Sequence, residues 1–219
     1  MSRPPVVSEQ EWQAASAALL AKEKRLTREL DALAAERRRL PMVALDTGKY
    51  RFTAPDGSAT GLTGLFAGHR QLVMYHFMLD PGQDWLCPGC CTFTDNLAEH
   101  SQAHLSARDT RLILMARAPQ QEIGRIRDRM GWTVPWYSSY GTSFNDDLGL
   151  RYFGISVLLR DGDEVFRSYF TTARGVDRLR LDMNLLDLTP YGRQEEWEDS
   201  PAGWPQDPTM SWLKPRGES

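Results

Sequence analysis

Three cysteines cluster within five residues of this sequence, in the segment Cys87-Pro88-Gly89-Cys90-Cys91. Cys87 and Cys90 have the C-x-x-C spacing, which separates two thiols by about one helical turn. Pro88 favours the first position of a helix, because its missing N–H would have no partner there. Cys87 is therefore expected to be the N-cap residue, where unpaired backbone N–H groups and the helix dipole stabilise a thiolate.

This placement predicts different roles for the two thiols. The pKa of Cys87 should fall from about 8.5 into the range of roughly 3.5–7.5, which makes it a nucleophile near neutral pH. Cys90 is close enough to attack a mixed disulfide on Cys87 and release the reduced substrate. We predict that Cys87 and Cys90 are the catalytic residues of a thiol-disulfide oxidoreductase that acts on a small-molecule or protein disulfide. The electron donor is unknown, and Cys91 is expected to be a buried bystander.

The segments around the cysteines alternate between strand and helix patterns. Leu72 to Leu79 is a continuous apolar run, as expected of a central strand that is covered on both faces. After a loop and the cysteines, a helical stretch is predicted to about Arg108. A second strand is predicted at Arg111 to Ala116, followed by a helix from Pro119 to Met130 that Gly131 ends. The first two strands should then be parallel.

The second half of the chain predicts a hairpin and a last helix. Ile155 to Leu159 and Glu164 to Tyr169 are apolar runs on either side of Asp161-Gly162, which is a strong hairpin signal. Trp132 to Phe144 is interpreted as an aromatic loop, and a helix is expected near Val176 to Leu185. These elements predict an α/β protein with a thioredoxin-like fold, in which a mixed central sheet has helices on both faces.

Aromatic residues near the cysteines suggest a substrate pocket. Trp85 precedes the cysteines, and Trp132 and Trp136 follow the second helix of the predicted fold. Together with Pro88, these residues are predicted to line a pocket that faces the thiols. Packing of the same rings in the core remains an alternative. His76, in the middle of the first apolar run, is expected to be a hydrogen-bonded core residue.

A long helix is predicted at the N-terminus. Ser8 and Glu11 have the capping-box spacing, and Pro41 marks the end of the charged, proline-free stretch that follows. Its larger apolar residues recur every seven positions, at Trp12, Leu19, Leu26, Leu33 and Leu40. This half of a coiled-coil pattern predicts a helix that lies across its own domain or forms a homodimer.

The chain thus divides into three parts. A helical arm (1–40) precedes a thioredoxin-like domain (41–190) and an irregular tail (191–219) that is expected to wrap on the surface. Its 219 residues and formal net charge of −3 describe an ordinary globular protein without the basic excess of a nucleic-acid partner. The sequence has neither the apolar segment of a secretion signal nor a run of roughly 18 apolar residues. It predicts a cytoplasmic protein with no membrane partner.

Several segments resemble a bacterial thioredoxin-like family of unassigned function. They include HRQLVMYHFML, CPGC, RMGWTVPWYSS, SFNDDLG, SVLLRDGDEVFRSY and EDSPAGWP. The resemblance covers about residues 9 to 208, and the family is itself distantly similar to the alkyl hydroperoxide reductase and thiol-specific antioxidant proteins. It implies a thioredoxin-like fold and leaves the activity open.

The sequence departs from the related enzymes at informative positions. Peroxidatic enzymes carry Pro and Thr or Ser where this chain has Asp80 and Asp84, which makes peroxide reduction the weaker prediction. Thioredoxins carry a cis-proline before the hairpin, but this chain has Gly154 and Ile155 near that position. Docking of a large protein disulfide is therefore expected to be poor.

Two alternatives to an oxidoreductase stay open. One is a non-catalytic binding or scaffold protein that keeps the thioredoxin fold. The other is copper or zinc binding through the cysteines. Zinc needs four ligands, yet the sequence has no second C-x-x-C pair, and His100 lies roughly 15 Å beyond Cys90 along a helix. Copper-delivering relatives need a late histidine, and none follows His104. No cofactor and no resident metal are predicted.

Overall fold

A computed structural model describes residues 3–98 and 100–217 of the chain. Residues 1, 2, 99, 218 and 219, which fall within the predicted arm, helical stretch and tail, lie outside the described residues. The helices are α1 (Glu9–Arg37), α2 (Pro88–Asp95), α3 (Ser101–Ser106), α4 (Gln120–Met130), α5 (Phe144–Asp147) and α6 (Leu181–Leu186). The strands are β1 (Val43–Leu45), β2 (Phe52–Thr53), β3 (Ala59–Thr60), β4 (Gln71–His76), β5 (Thr110–Ala116), β6 (Trp136–Ser138), β7 (Gly154–Asp161) and β8 (Glu164–Thr171).

The described strands form one mixed sheet in the order β1-β8-β7-β4-β5-β6-β2-β3. Strands β4 and β5 are parallel neighbours, and β4 is antiparallel to β7, which forms a hairpin with β8. Two parallel strands joined through a helix and flanked by an antiparallel hairpin are the core of the thioredoxin fold. The predicted fold class is confirmed.

Strands β4 and β5 place alternate side chains on opposite faces of the sheet. Tyr75 and Leu114 belong to a core that also contains the cysteines, while Met74 and Ile113 belong to a second core on the other face. Because both faces are covered, both strands read as continuous apolar runs. The predicted hairpin and the helix ended by Gly131, which has a φ of 66°, are also present.

Three local predictions need correction. The helical stretch after the cysteines is interrupted, because Asn96 ends α2 and its side chain accepts the backbone N–H of Asp182 at 2.9 Å. The aromatic loop contains β6, whose three residues are too short to give a clear strand pattern. The last predicted helix is divided by Arg180, whose extended backbone separates a 3₁₀ turn at Asp177–Leu179 from α6.

Helix α1 begins with the predicted capping box. The Oγ of Ser8 accepts the backbone N–H of Glu11 at 3.3 Å, and the Glu11 carboxylate accepts the Ser8 N–H at 2.9 Å. No residue of α1 is buried, and Trp12 is 58% exposed. The prediction that the helix lies across its own domain is therefore wrong. A contact with the domain occurs near the helix end, where the guanidinium carbon of Arg37 lies 4.6 Å from the centroid of the Tyr169 ring.

The described residues of the tail, 191–217, form no helix or strand, and the tail is not confined to the surface. Glu195 is only 1% exposed, and Leu213 is also buried. Both residues lie in the predicted tail, so this segment is part of the folded structure. In the part of the chain that the structure describes, no helix is both long and apolar enough to cross a membrane.

Candidate thiol site

Cys87 is the N-cap residue of α2, as predicted, and Pro88 is the first helical residue. The Sγ of Cys87 accepts the backbone N–H of Cys90 at 3.4 Å. Hydrogen bonds from the Cys90 thiol and from the backbone N–H groups of Cys90 and Gly89 lower the pKa of Cys87 to about 7, although partial burial opposes this shift. A substantial fraction of Cys87 is therefore thiolate at neutral pH, and the residue is 8% exposed.

Cys90 lies behind Cys87 and is fully buried. Burial raises the pKa of Cys90 well above its usual range, and the hydrogen bond that its thiol donates to Cys87 raises it further. The Tyr75 hydroxyl and the backbone N–H of Met78 interact with the Cys90 sulfur and act in the opposite direction. The two thiols thus differ strongly, since Cys87 favours the thiolate and Cys90 keeps its proton. Cys91 is buried in the same core.

A cavity of about 170 Å³ lies beside Cys87. The start of α2 and the rings of Tyr75 and Phe93 form one side of it, and these rings are stacked with their centroids 3.9 Å apart. Phe153, which precedes β7, forms another wall. Met210 and Leu213 from the tail line another side, and the lining is mostly apolar.

Charged side chains at the edge of this cavity are bound to one another. Asp177 accepts from Arg193 at 2.9 Å, and Arg193 also binds Asp187 at 2.8 Å. Arg180 pairs with Asp182 through two hydrogen bonds. These pairs satisfy buried charges that would otherwise be costly. They also leave the cavity with a nearly neutral boundary.

Glu195 organises the tail segment that covers the cavity. Its buried carboxylate accepts the backbone N–H of Met210 at 2.9 Å and the indole N–H of Trp212 at 2.7 Å. The indole N–H of Trp197 binds the other carboxylate oxygen. Burial by itself would raise the pKa of Glu195, but these hydrogen bonds outweigh it and lower the pKa. The carboxylate is therefore ionised at neutral pH and holds Met210 in place.

The structure separates the residues predicted to line the pocket. Pro88 lines the cavity beside Cys87, whereas Trp85 is 56% exposed and lines a different cleft. Trp132 and Trp136 do not line the cavity and pack in the core, with ring centroids 5.7 Å apart. The prediction that these two tryptophans line a pocket facing the thiols is wrong. Trp132 instead donates its indole N–H to Asp95 at 2.8 Å.

Other residues supply the walls that sequence patterns did not indicate. Phe153, Met210 and Leu213 come from irregular segments far from the cysteines in the chain. One signal was available for Phe153. It stands directly before Gly154, which lies near the position where thioredoxins carry a cis-proline. The tail residues gave no comparable signal, because irregular segments carry no periodicity.

The histidine of strand β4 is a core residue. His76 is buried, and its Nε2 lies 2.8 Å from the Oγ of Ser156, so its interpretation as a hydrogen-bonded core residue is confirmed. Burial, with a smaller contribution from Arg167, lowers the pKa of His76 to about 3. Across residues 3–98 and 100–217, no three His, Cys, Asp or Glu side chains form a group that could hold a metal ion.

The sheet order and the cysteine pair define a thioredoxin-fold protein with two thiols at the start of a helix. Residues 1–218 match the profile of the family described as bacterial protein of unknown function, DUF899, and the chain belongs to this family. The resemblance noted from its segments is confirmed. No match was found among the curated proteins.

Solved structures with low sequence identity are also similar to the chain. A thioredoxin from Wuchereria bancrofti is 15% identical with a TM-score of 0.43, and the match covers 63% of this chain and 89% of that one. An uncharacterized thioredoxin-like protein from Porphyromonas gingivalis is 14% identical with a TM-score of 0.43, with 57% and 78% covered. Peroxiredoxin Q from Xanthomonas campestris is 19% identical with a TM-score of 0.39, with 61% and 88% covered.

Proposed function

We propose that this protein is a thiol-disulfide oxidoreductase in which Cys87 attacks the substrate and Cys90 resolves the intermediate. One observation carries the proposal. The Cys87 sulfur sits at the N-cap of α2, receives hydrogen bonds from Cys90 and has a pKa of about 7. A thiol whose pKa is near the ambient pH combines a large thiolate fraction with good nucleophilicity.

The reaction transfers two electrons from the protein to the substrate. The Cys87 thiolate attacks one sulfur of R–S–S–R, forms a mixed disulfide with it and releases R–S⁻, which takes a proton from water. The Cys90 thiol then loses its proton to solvent, and its sulfur attacks Cys87. The mixed disulfide breaks, the second R–S⁻ leaves and is protonated, and a Cys87–Cys90 disulfide remains. A dithiol reductant restores the two protein thiols by the reverse exchange.

The high pKa of Cys90 fits the order of these steps. While Cys87 is a thiolate, the Cys90 thiol donates a hydrogen bond to it and stays protonated. Once Cys87 is bound in a mixed disulfide, its negative charge is gone. One cause of the raised Cys90 pKa is then removed, and Tyr75 and Met78 still stabilise the Cys90 thiolate. Cys90 therefore becomes a better nucleophile after the first step.

The first test is the rate of iodoacetamide labelling at limiting reagent as a function of pH. We expect Cys87 to be labelled first, with a half-maximal rate near pH 7, and Cys87→Ser to remove the fast phase. Cys91→Ser is the matched control and should keep it. Preferential labelling of Cys90 or Cys91 near pH 7 would contradict the assignment.

The second test is turnover of bis(2-hydroxyethyl) disulfide with dithiothreitol as reductant. We expect Cys87→Ser to abolish protein-dependent turnover. When the disulfide is added without dithiothreitol, Cys90→Ser should accumulate a mixed disulfide on Cys87 that mass spectrometry detects, because no other thiol resolves it. If no turnover depends on Cys87, the result would instead favour a non-catalytic binding or scaffold protein.

A further inference from the structure

We infer that the cavity beside Cys87 accepts one apolar group of about the size of a benzene ring, so that the substrates are low-molecular-weight disulfides with an aryl or arylalkyl substituent. The inference rests on the proposed function, since it concerns the group carried by the sulfur that Cys87 attacks. In the mixed disulfide, this group is attached directly to the Cys87 sulfur. The cavity that Cys87 itself lines is the adjoining space for it.

The size of the cavity limits the group. Its volume of about 170 Å³ is close to that of an engineered apolar protein cavity of about 150 Å³ that binds benzene. The walls also match an apolar ring, since Tyr75, Phe93, Phe153 and Leu213 surround the space. Burial of apolar surface is worth about 25 cal/mol per Å², so an apolar substituent gains more here than a hydrated one.

The charges at the cavity argue against polar substrates such as glutathione disulfide. Asp177 is bound to Arg193, and Arg180 is bound to Asp182. A carboxylate or ammonium group of the substrate would have to lose its hydration and compete with these existing pairs. Burying a charge without a dedicated partner is strongly unfavourable. The boundary of the cavity thus selects against charged substituents.

The backbone around the cavity argues against an extended peptide. Strand β7 pairs with β4 and β8 on its two sides, so it offers no open edge for an added strand. The carbonyl of Phe153, directly before β7, already accepts the hydroxyl of Thr172 at 2.6 Å. Met210 and Leu213 cover the remaining side. A compact substituent fits this arrangement better than a polypeptide does.

The experiment compares disulfides whose leaving groups are similar. With the full chain and dithiothreitol, we expect kcat/KM for benzyl 2-hydroxyethyl disulfide to exceed that for bis(2-hydroxyethyl) disulfide by about tenfold. Rates are corrected for the direct reaction with dithiothreitol, and glutathione disulfide and insulin should be slower than both. Equal kcat/KM values for the benzyl and bis(2-hydroxyethyl) disulfides would overturn the inference. Faster turnover of glutathione disulfide or insulin than of the benzyl disulfide would also overturn it. In those cases turnover that depends on Cys87 would still support the proposed function. If no turnover depended on Cys87, both the proposed function and the inference about the substituent would be contradicted.

Two further measurements locate the apolar group. Leu213→Trp should fill the cavity and bring the benzyl preference towards one, while Leu188→Trp, which adds the same ring at an exposed position, should keep the preference. In the unmodified protein, near-saturating benzene should slow iodoacetamide labelling of Cys87 severalfold. This measurement needs no variant, so it decides the question even if Leu213→Trp does not fold. Labelling unchanged by benzene would contradict occupation of the cavity.

Discussion

Trp212 donates its indole N–H to the same carboxylate oxygen of Glu195 that accepts the backbone N–H of Met210. These bonds fix the tail on both sides of residue 211, immediately before Leu213 reaches the cavity. Because hydrogen bonds hold the pKa of Glu195 below its ordinary value against the effect of burial, their contribution persists at neutral pH. It is lost as the pH falls through the lowered pKa.

Glu195→Gln should loosen this cover. An amide has one acceptor oxygen, so it cannot receive all of the N–H donors that converge on the carboxylate. We expect faster iodoacetamide labelling of Cys87 and a decrease of about 1–3 kcal/mol in the free energy of unfolding. Glu196→Gln, at the exposed neighbouring position, is the control. Identical labelling rates in the two variants would show that Glu195 does not hold the cover.

Removal of the Cys90 thiol should change the pKa of Cys87. Its hydrogen bond to Cys87 is the largest cause of the lowered value, and it favours the charged form. Cys90→Ala should therefore move half-maximal labelling of Cys87 from about pH 7 to higher pH. Cys90→Ser keeps a donor and should retain most of the shift. Superimposable pH profiles for the Ala and Ser variants would rule out the thiol hydrogen bond as the cause.

Tyr75→Phe should slow resolution more than attack. The Tyr75 hydroxyl is one of the groups that favour the Cys90 thiolate, so its loss makes Cys90 harder to ionise. We expect the mixed disulfide on Cys87 to persist longer in quenched-flow mass spectrometry. Tyr50→Phe is a matched control, because Tyr50 is buried in the other core and its hydroxyl binds Asp147 at 3.0 Å. An equal effect of both variants would indicate general destabilisation.

Gly154→Ala should destabilise the fold near the cavity. A Cβ at this position would lie 2.8 Å from the Thr171 carbonyl oxygen and 2.8 Å from the Phe170 ring, so the hairpin would have to shift. We expect a loss of about 1–3 kcal/mol in a urea titration. Gly124→Ala in α4 meets nothing within 4 Å and should stabilise the protein slightly. Equal stability of the Gly154 variant and the unmodified protein would be the contrary result.

The exposed apolar stripe of α1 should mediate an antiparallel homodimer. The helix begins with Glu9 and Glu11 and is followed at its end by a basic run at 37–39, so an antiparallel copy would place opposite charges together. Leu19→Gln with Leu26→Gln should then lower the dimer fraction in sedimentation velocity. Leu188→Gln, also at an exposed position, should not. A monomeric full-length chain at high concentration would refute this prediction.

The parts of the fold that the sequence predicted are those with local causes. The apolar runs at β4 and β5, the Asp161-Gly162 turn and the capping boundary at Ser8 each depend on neighbouring residues. The same is true of Cys87, because Pro88, which favours the first helical position, is its immediate neighbour. Its lowered pKa also requires Cys90, which is only one turn away.

The walls of the site could not be predicted in this way. Trp132 and Trp136 are of a residue type that often lines pockets. Large aromatic rings, however, fill cores as readily as they line clefts. Leu213 carries no pattern that relates it to Cys87. Its position depends on the hydrogen bonds of Glu195 and on the pairing of Arg193 with Asp177, which only the folded chain brings together.

The cavity is enclosed by segments that are far apart in the chain, whereas the two thiols meet within a single helical turn. Contacts between distant segments form late in folding, because closing a long loop costs chain entropy before any contact is gained. Cys87 and Cys90 need no contact between distant segments to become neighbours, so they are adjacent and uncovered until the tail contacts form. During that interval an oxidant can convert them to a disulfide, and the redox state in which the protein folds determines whether the cover closes over thiols or over an oxidised pair.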